Sequence, residues 1–415
     1  MTQTTTAADS SLTGTALYIG LDLSRDSWQV ALGDGKKLRQ VAVDRRDLDS
    51  GKSALLAEIS KAKQHFAIAP EAQVVVVFEA GRDGFWFARW LEQQDIRCLI
   101  VDPASLPVDR RSKHRKTDAI DARGLLDLLI RHELGQISLH LVAIPTPEEE
   151  DRRELGRGLE RLNGARSRLA LTLQSLLFKH GISVTYTTGF QEQLADLRTG
   201  DGRPLGPTLR EQCAVLCRQI HSLDVDICRL EDQRQRQVEK PESPTEQIAH
   251  NLQQLYGIGP IGAVTLADEL FGWRKFANAK KLGSFLGLCP TPFATGTIDR
   301  EQGISKAGPG RLRALLIQLA WGWLRYQPES ALTQWFVARN SAGAKRKKRV
   351  DIIAVARKLA VALWRYVTTG AVPAGAAFKP EHHRISPVAP RGCAVRQLAR
   401  RKAPAAIAFP TAAAA

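Results

Sequence analysis

The run Val74-Val75-Val76-Val77-Phe78 constrains this chain more than any other feature. A valine-rich stretch bounded by Gln73 and Glu79 has no polar face, so the strand it forms is buried on both sides and requires helices above and below it. The flanking sequence supplies them. Ala16 to Ser24, Ser27 to Leu32 and Leu38 to Val43 are short apolar or alternating runs, joined by a tight link and by the hairpin signal Gly33-Asp34-Gly35. A helical stretch from Leu48 to His65 leads into the valine run. After it come a helix over Gly84 to Gln94, a second buried strand over Arg97 to Asp102 stopped by Pro103, and a helix over Thr117 to Glu133. The predicted order is βββαβαβα.

Three meandering strands followed by strand and helix alternation is the ribonuclease H order, and actin-like sugar kinases begin in the same way. A sugar kinase also needs a glycine-rich adenosine loop and a second phosphate hairpin, and the sequence contains neither. In a ribonuclease H sheet the first and fourth strands are neighbours, so Asp22 and Glu79 are expected to project toward one rim. Asp118 and Asp121, at i and i+3, share one helix face. Four oxygen donors converging there are what two Mg²⁺ ions require to clamp the attacking and leaving oxygens of a phosphodiester. A blander reading has Asp118 and Asp121 complementing a helix N-terminus behind a Thr117 cap, and Asp22 satisfying a turn. Two acids ending apolar strands, where exposure to water is expected to be poor, favour the metal site. Arg110, Arg111, Lys113, His114, Arg115 and Lys116 stand directly before Asp118 and read as a phosphate clamp beside the metals.

The middle of the chain is helical. Leu155, Leu159, Leu162, Leu169, Leu173 and Leu176, then Leu216, Ile220, Leu223, Ile227 and Leu230, recur at heptad-compatible spacing, which predicts a coiled-coil segment over 150–238. Gly181 to Pro207 reads as a loop capping that pair or as an exposed insertion. A proline-rich link around Lys240-Pro241-Glu242-Ser243-Pro244 precedes a mostly helical domain over 246–336. Its start, Leu255 to Ala263, resembles a helix-hairpin-helix, and a plain tight turn explains it equally well. Trp321, Trp323, Tyr326 and Trp335 fit an aromatic core better than a base-stacking face. Cys213, Cys217 and His221 span about 12 Å of one helix, too far to share a zinc ion.

Charge is unevenly placed. From Arg339 onward sixteen Lys and Arg face only Asp351 and Glu381, which is net +14 of the chain's +16. The run Lys345-Arg346-Lys347-Lys348-Arg349 marks a polyanion partner, and 337–415 is expected to be a basic, partly disordered tail, as 1–14 is expected to be disordered. No apolar run reaches the roughly 20 residues of a membrane-spanning helix. Nothing near the start resembles a secretory signal, and six scattered cysteines do not form a disulfide framework, so free thiols, a cytoplasmic location and no membrane partner are expected.

Gly20-Leu21-Asp22-Leu23-Ser24, Phe78-Glu79-Ala80, Lys116-Thr117-Asp118-Ala119-Ile120-Asp121-Ala122, Leu286-Gly287-Leu288-Cys289-Pro290 and Gly303-Ile304-Ser305-Lys306-Ala307-Gly308, in this order, resemble the DEDD transposases of the IS-one-ten insertion-sequence family. The resemblance covers about Ala16 to Gln334. It implies a RuvC-like nuclease domain over 15–140 using Mg²⁺, a coiled coil used in homo-oligomerisation to a dimer or tetramer, and a second domain supplying a nucleophilic serine. DNA is the implied substrate, with Lys306 and Arg311 added to the nucleic-acid contacts, and some members are directed by a structured noncoding guide RNA. Where the family has Ser-Gly before its Ile-Ser/Thr-Lys-x-Gly motif, this chain reads Ala294-Thr295-Gly296. Thr295 is a hindered secondary alcohol, and Ser305 is the fallback nucleophile. A junction endonuclease using water, and a nucleic-acid-binding regulator with a decayed nucleophile, remain alternatives.

Overall fold

The computed structural model describes residues 16–81, 84–103, 106, 118–187, 189–295, 298–340 and 345–380. The chain divides into two compact units at Thr146/Pro147.

The first unit is a mixed α/β sheet domain. Strands β1 (Ala16–Leu23), β2 (Ser27–Gly33), β3 (Leu38–Asp44), β4 (Gln73–Glu79) and β5 (Arg97–Val101) form one sheet in the order β3-β2-β1-β4-β5. β1, β2 and β3 are antiparallel, whereas β4 runs parallel to both β1 and β5. Every residue from Val74 to Phe78 is buried, as a strand flanked by partners and covered on both faces demands. On one face Leu17, Ile19, Leu21, Val76 and Phe78 pack with helices α1 (Leu48–His65) and α2 (Gly84–Glu92). On the other, Tyr18, Val75, Val77 and Val101 pack with Ala122, Leu125, Leu126 and Leu129 of α3 (Asp118–Glu133). α3 comes unusually close. A Cβ on Gly20 would lie 2.3 Å from the Ala122 carbonyl oxygen and 2.5 Å from the Leu126 nitrogen, so only glycine lets the helix backbone rest on β1 there.

The second unit is largely helical. Helices α4 (Pro147–Phe178) and α6 (Pro207–Glu239) pack along one another. The buried positions of α6 are Cys213, Cys217, Ile220, Asp224, Ile227, Arg234 and Val238, which keep a heptad period. That seam is not the one the leucines mark: Ile220 and Ile227 belong to it, while Leu216, Leu223 and Leu230 flank it half-buried. Two polar members explain the shift, since Asp224 is held by the Arg166 guanidinium at 2.5 Å and Arg234 pairs with Glu231. Burial pushes the Cys217 thiol up to about 11, leaving it an apolar filler. Cys98, Cys213, Cys217 and Cys289 are free, but Cys228 is disulfide-bonded, contrary to the expectation of free thiols. The segment between the helices packs as a cap, with Ile182, Phe190 of α5 (Phe190–Gln193), Leu194 and Leu205 buried against Leu173, Leu177 and Cys213.

The proline-rich link proves to be a helix start. Ser243 accepts from the Glu246 amide and Glu246 reaches back to the Ser243 amide, a capping box that opens α7 (Pro244–Gln253). α8 (Pro260–Leu266) follows after the Gly257 turn and runs into a π-helical turn, Ala267–Phe271. Then come α9 (Ala279–Phe285), a hairpin of β6 (Pro290–Thr295) and β7 (Ile298–Ile304), α10 (Gly310–Tyr326), α11 (Ala331–Asn340) and α12 (Lys345–Thr369). Trp323 is fully buried, whereas Trp321 and Tyr326 are about half exposed.

α12 corrects the expected tail. Ile352, Val355, Ala356, Leu359, Ala360 and Leu363 step by three and one, forming an apolar stripe buried in the same core as Leu252, Leu316 and Trp323. The chain then returns past α7. Ala377 is bonded both ways by Gln327, and the Lys379 ammonium donates to the carbonyls of Gln253 and Ile258. Residues 1–14 and 381–415 lie outside the described residues. The close approach at Gly20 is testable: Gly20→Ala should cost about 1–3 kcal/mol, the usual penalty of overpacking. The readout is earlier exchange of β1 amides in denaturant-dependent hydrogen exchange of the full chain, and unchanged exchange would mean that α3 does not press on β1.

Candidate active site

The parallel register pairs Leu21 with Phe78, so Asp22 and Glu79 are the next residues along two neighbouring strands. Alternation puts them on the α3 face: Leu21 and Phe78 belong to the opposite core, while Tyr18, Val75, Val77 and Val101 belong with α3, and Glu79 pairs with Val101. α3 supplies the other two acids from its first turn. It runs obliquely back across the sheet, with the Ala119 carbonyl accepting from Gln40 of β3 at 2.8 Å and Glu133, at its far end, bridging to Arg97 at the start of β5 at 3.0 Å. Ala122 rests over Gly20. One helical turn before it, about 6 Å along the axis, is Asp118, and two residues beyond Gly20, also about 6 to 7 Å, is Asp22. Helix and strand acids therefore share one face at one end of the sheet.

Asp22 and Asp121 are half-buried there, and Asp118 and Glu79 are exposed. The expectation of poor water contact thus fails for Glu79, because it lies one residue beyond the last buried position of β4. Among the described residues no three acidic, histidine or cysteine side chains are gathered at metal-binding distance. What the fold supplies is the donor chemistry, four carboxylates on one rim. Arg110, Arg111, Lys113, Arg115 and Lys116 lie outside the described residues.

In the second unit the two candidate hydroxyls occupy opposite ends of the β6–β7 hairpin. Thr295 is the last residue of β6 and pairs with Ile298 at the turn; Ser305 follows Ile304, which pairs with Pro290 at the base. Seven residues of β7 separate them, about 20 Å at strand rise. They are not interchangeable. The base is tightly clasped, since the amides of Ser305 and Lys306 donate to the carbonyls of Cys289 and Gly287 at 2.9 and 3.2 Å. Gly287 and Gly308 both have left-handed backbones, and a Cβ on either would lie 2.0 Å from a carbonyl oxygen, of Ala307 and Phe285 respectively. The Arg313 guanidinium donates to the Leu286 and Ala307 carbonyls. Lys306 is exposed and holds φ +56°, a conformation that costs a side-chain-bearing residue energy and clusters at working sites.

Arg311, expected to touch nucleic acid, is committed elsewhere. Its Nη1 lies 2.5 Å from Glu269 and its Nε 2.7 Å from Glu160. Glu269 is 8% exposed and is also forked by Arg157 at 2.8 and 3.0 Å. Sequence reasoning missed this network because its members are 42 and 112 residues apart; the only local sign is the acid pair Asp268-Glu269 inside an apolar helical run.

The sequence profile of the IS116/IS110/IS902 transposase family matches residues 249–334, from α7 through the hairpin to α11. A protein of Sinorhizobium fredii named as a transposase, y4rJ, is 38% identical over 383 residues, covering 88% of this chain and 95% of its own. The chain belongs to the IS116/IS110/IS902 transposase family. Other members are more distant: the transposase for insertion sequence element IS1328 of Yersinia enterocolitica is 24% identical, over 85% of this chain and 97% of its own. The transposase for insertion sequence element IS1111A of Coxiella burnetii is 23% identical, over 84% and 89%.

The strained Lys306 of this family member gives a test. Lys306→Gly relieves a left-handed cost of about 1 kcal/mol, so thermal stability should hold or rise. DNA affinity should fall and its salt dependence flatten as one phosphate partner is lost. Equal affinity at two salt concentrations would assign Lys306 to the loop's shape alone.

Proposed function

We propose that this chain is an insertion-sequence transposase that cuts and rejoins DNA by transesterification, with a ribonuclease H-like, RuvC-type first unit. The observation that carries the reading is the rim: Asp22 and Glu79 on neighbouring parallel strands, and Asp118 and Asp121 on the helix laid across them, in a sheet ordered β3-β2-β1-β4-β5. These four carboxylates would hold Mg²⁺, which when bound supplies charge stabilisation to the oxygens of a phosphodiester. Arg110, Arg111, Lys113, Arg115, Lys116 and Lys306 neutralise the DNA backbone, and the same charges suit a structured guide RNA. A hydroxyl of the hairpin, of Thr295 or Ser305, attacks phosphorus; its proton leaves, a phosphorus–oxygen ester bond forms to the protein, and the bond to the departing sugar oxygen breaks as that oxygen takes up a proton. Work on DNA in the cytoplasm follows from the same reading. Threonine at 295 favours a second reading, a nucleic-acid-binding regulator whose nucleophile has decayed.

Asp118→Asn keeps shape and loses charge. It should cut Mg²⁺-dependent strand cleavage by about a hundredfold or more while leaving binding intact, and cleavage at the normal rate would overturn the metal assignment. A denaturation-resistant protein–DNA adduct that vanishes in Thr295→Ala assigns the attack to the hairpin tip. One that vanishes only in Ser305→Ala assigns it to the base, and cleavage without any adduct supports water.

Self-association through the α4–α6 pair belongs to the same proposal. A groove of about 1010 Å³ opens between these helices, lined by Leu171, Leu176, Pro207, Val215 and Leu216. Leu171 and Phe178, seven residues apart on one stripe of α4, are 63% and 70% exposed. A groove and an apolar knob on the same surface are self-complementary, as a twofold pair of copies requires. Leu171→Glu should leave the fold intact and convert dimers or tetramers to monomers in sedimentation velocity; an unchanged assembly would exclude this face.

A further inference from the structure

We propose that Glu269 is a positioning residue that registers the base of the β6–β7 hairpin against helix α4. Its carboxylate is the buried node of a partly exposed network joining three elements. Arg157 of α4 forks it, Arg311 at the second position of α10 bonds it, and the carboxylate itself stands on the π-helical turn Ala267–Phe271. Such one-residue expansions of a helix recur at functional sites because they redirect side chains at a cost in regular hydrogen bonding.

Three features argue that the network serves more than cohesion. Arg311 stands at the positive end of α10, where a cation is disfavoured by the helix dipole. Among the described residues it is held there by acids from other elements, Glu269 and, on α4, Glu160. Next, α4 leaves room for it: a Cβ on Gly156 would lie 3.1 Å from the Arg311 Nη2, so the guanidinium would have to give by a few tenths of an ångström. Glycine is the worst ordinary choice for a helix interior, so this clearance comes at a cost in helix propensity. Finally, Arg311 is three residues beyond Gly308, and the segment from Ser305 to Gly308 is locked onto 285–289 by paired amides, two left-handed glycines and Arg313. Only Pro309 and Gly310 separate that segment from Arg311, so the anchorage of Arg311 bears on the backbone beside Ser305 and Lys306. The hairpin's place is thereby tied to α4, the helix whose far end carries the exposed Leu171 and Phe178.

The functional half of this inference rests on the hairpin carrying the attacking hydroxyl; the mechanical half does not. The test uses the full-length protein in two variants, each followed by DNA affinity, single-turnover cleavage, thermal stability and hydrogen exchange of peptide 303–308. Glu269→Gln removes the charge. Gly156→Leu crowds Arg311 away from Glu269, and its gain in helix propensity of about 1 kcal/mol offsets part of the lost pairing, so the protein is expected to stay folded. Both should slow cleavage at least about tenfold at unchanged affinity and speed exchange of 303–308, leaving β1 and β4 amides untouched. Normal cleavage and exchange in a folded Gly156→Leu protein would overturn the proposal, as would affinity, rate and stability falling together. Faster exchange with normal cleavage would keep the mechanical tie and overturn the positioning role. If Thr295→Ala and Ser305→Ala then also cleave normally, it is the hydroxyl reading that has failed.

Discussion

The approach of α3 to β1 at Gly20 is the contact on which the arrangement of the first unit's acids depends. Two acids are fixed by strand pairing alone, since the register that aligns Leu21 with Phe78 brings Asp22 beside Glu79 without help from any side chain. The other two belong to a helix, and a helix can be set down at many heights and angles on a sheet. Backbone contact through a missing Cβ removes that freedom: the Ala122 carbonyl and Leu126 amide sit where any larger residue's side chain would be. Packing density, rather than a specific polar bond, aligns the helix acids with the strand acids.

This division explains what could be read from the sequence. The order of strands and helices along the first unit was legible because periodicity reports burial directly, and the valine run admits one environment. Exposure of Glu79 was not legible, since whether the residue after a buried run is covered depends on what packs over the strand end. The helical pair shows the same limit at finer scale. Leucine spacing located both helices, but the buried seam of α6 passes through Asp224 and Arg234, polar residues answered there by Arg166, from 58 residues away on α4, and by Glu231, one turn back on α6 itself. Hydrophobicity found the elements, and ion pairing chose their faces.

The second unit also shows why local charge misleads about order. Seen alone, Lys345 to Arg349 is a cluster that opposes its own helix dipole and carries no acid in its first turn. Yet the next eighteen residues hold a full apolar stripe, and burial of Ile352, Val355, Leu359 and Leu363 at about 1.5–3 kcal/mol each outweighs like-charge repulsion worth tenths. The basic run is therefore mounted at the start of a core helix. Asp351, 4% exposed, anchors the following turn to Arg339 and Asn340 of α11.

For the proposed attack by a hydroxyl, the hairpin matters more than either residue on it. A strand pair whose base is clasped by Gly287 and Gly308 gives Ser305, beside the clasp, and Thr295, at the far end of β6, unlike mechanical settings. A nucleophile at the tip gains reach and leaves its final alignment to the bound DNA. At the base it is held before substrate arrives, by the bonds that also force Lys306 into its left-handed backbone. Attack in line with a phosphodiester tolerates errors of only about an ångström, so a threonine at the tip, already crowded by its methyl, depends on how firmly the base is held. That links the substitution at 295 to the buried carboxylate of Glu269: the less adaptable the attacking group, the more of its alignment has to come from the frame beneath it.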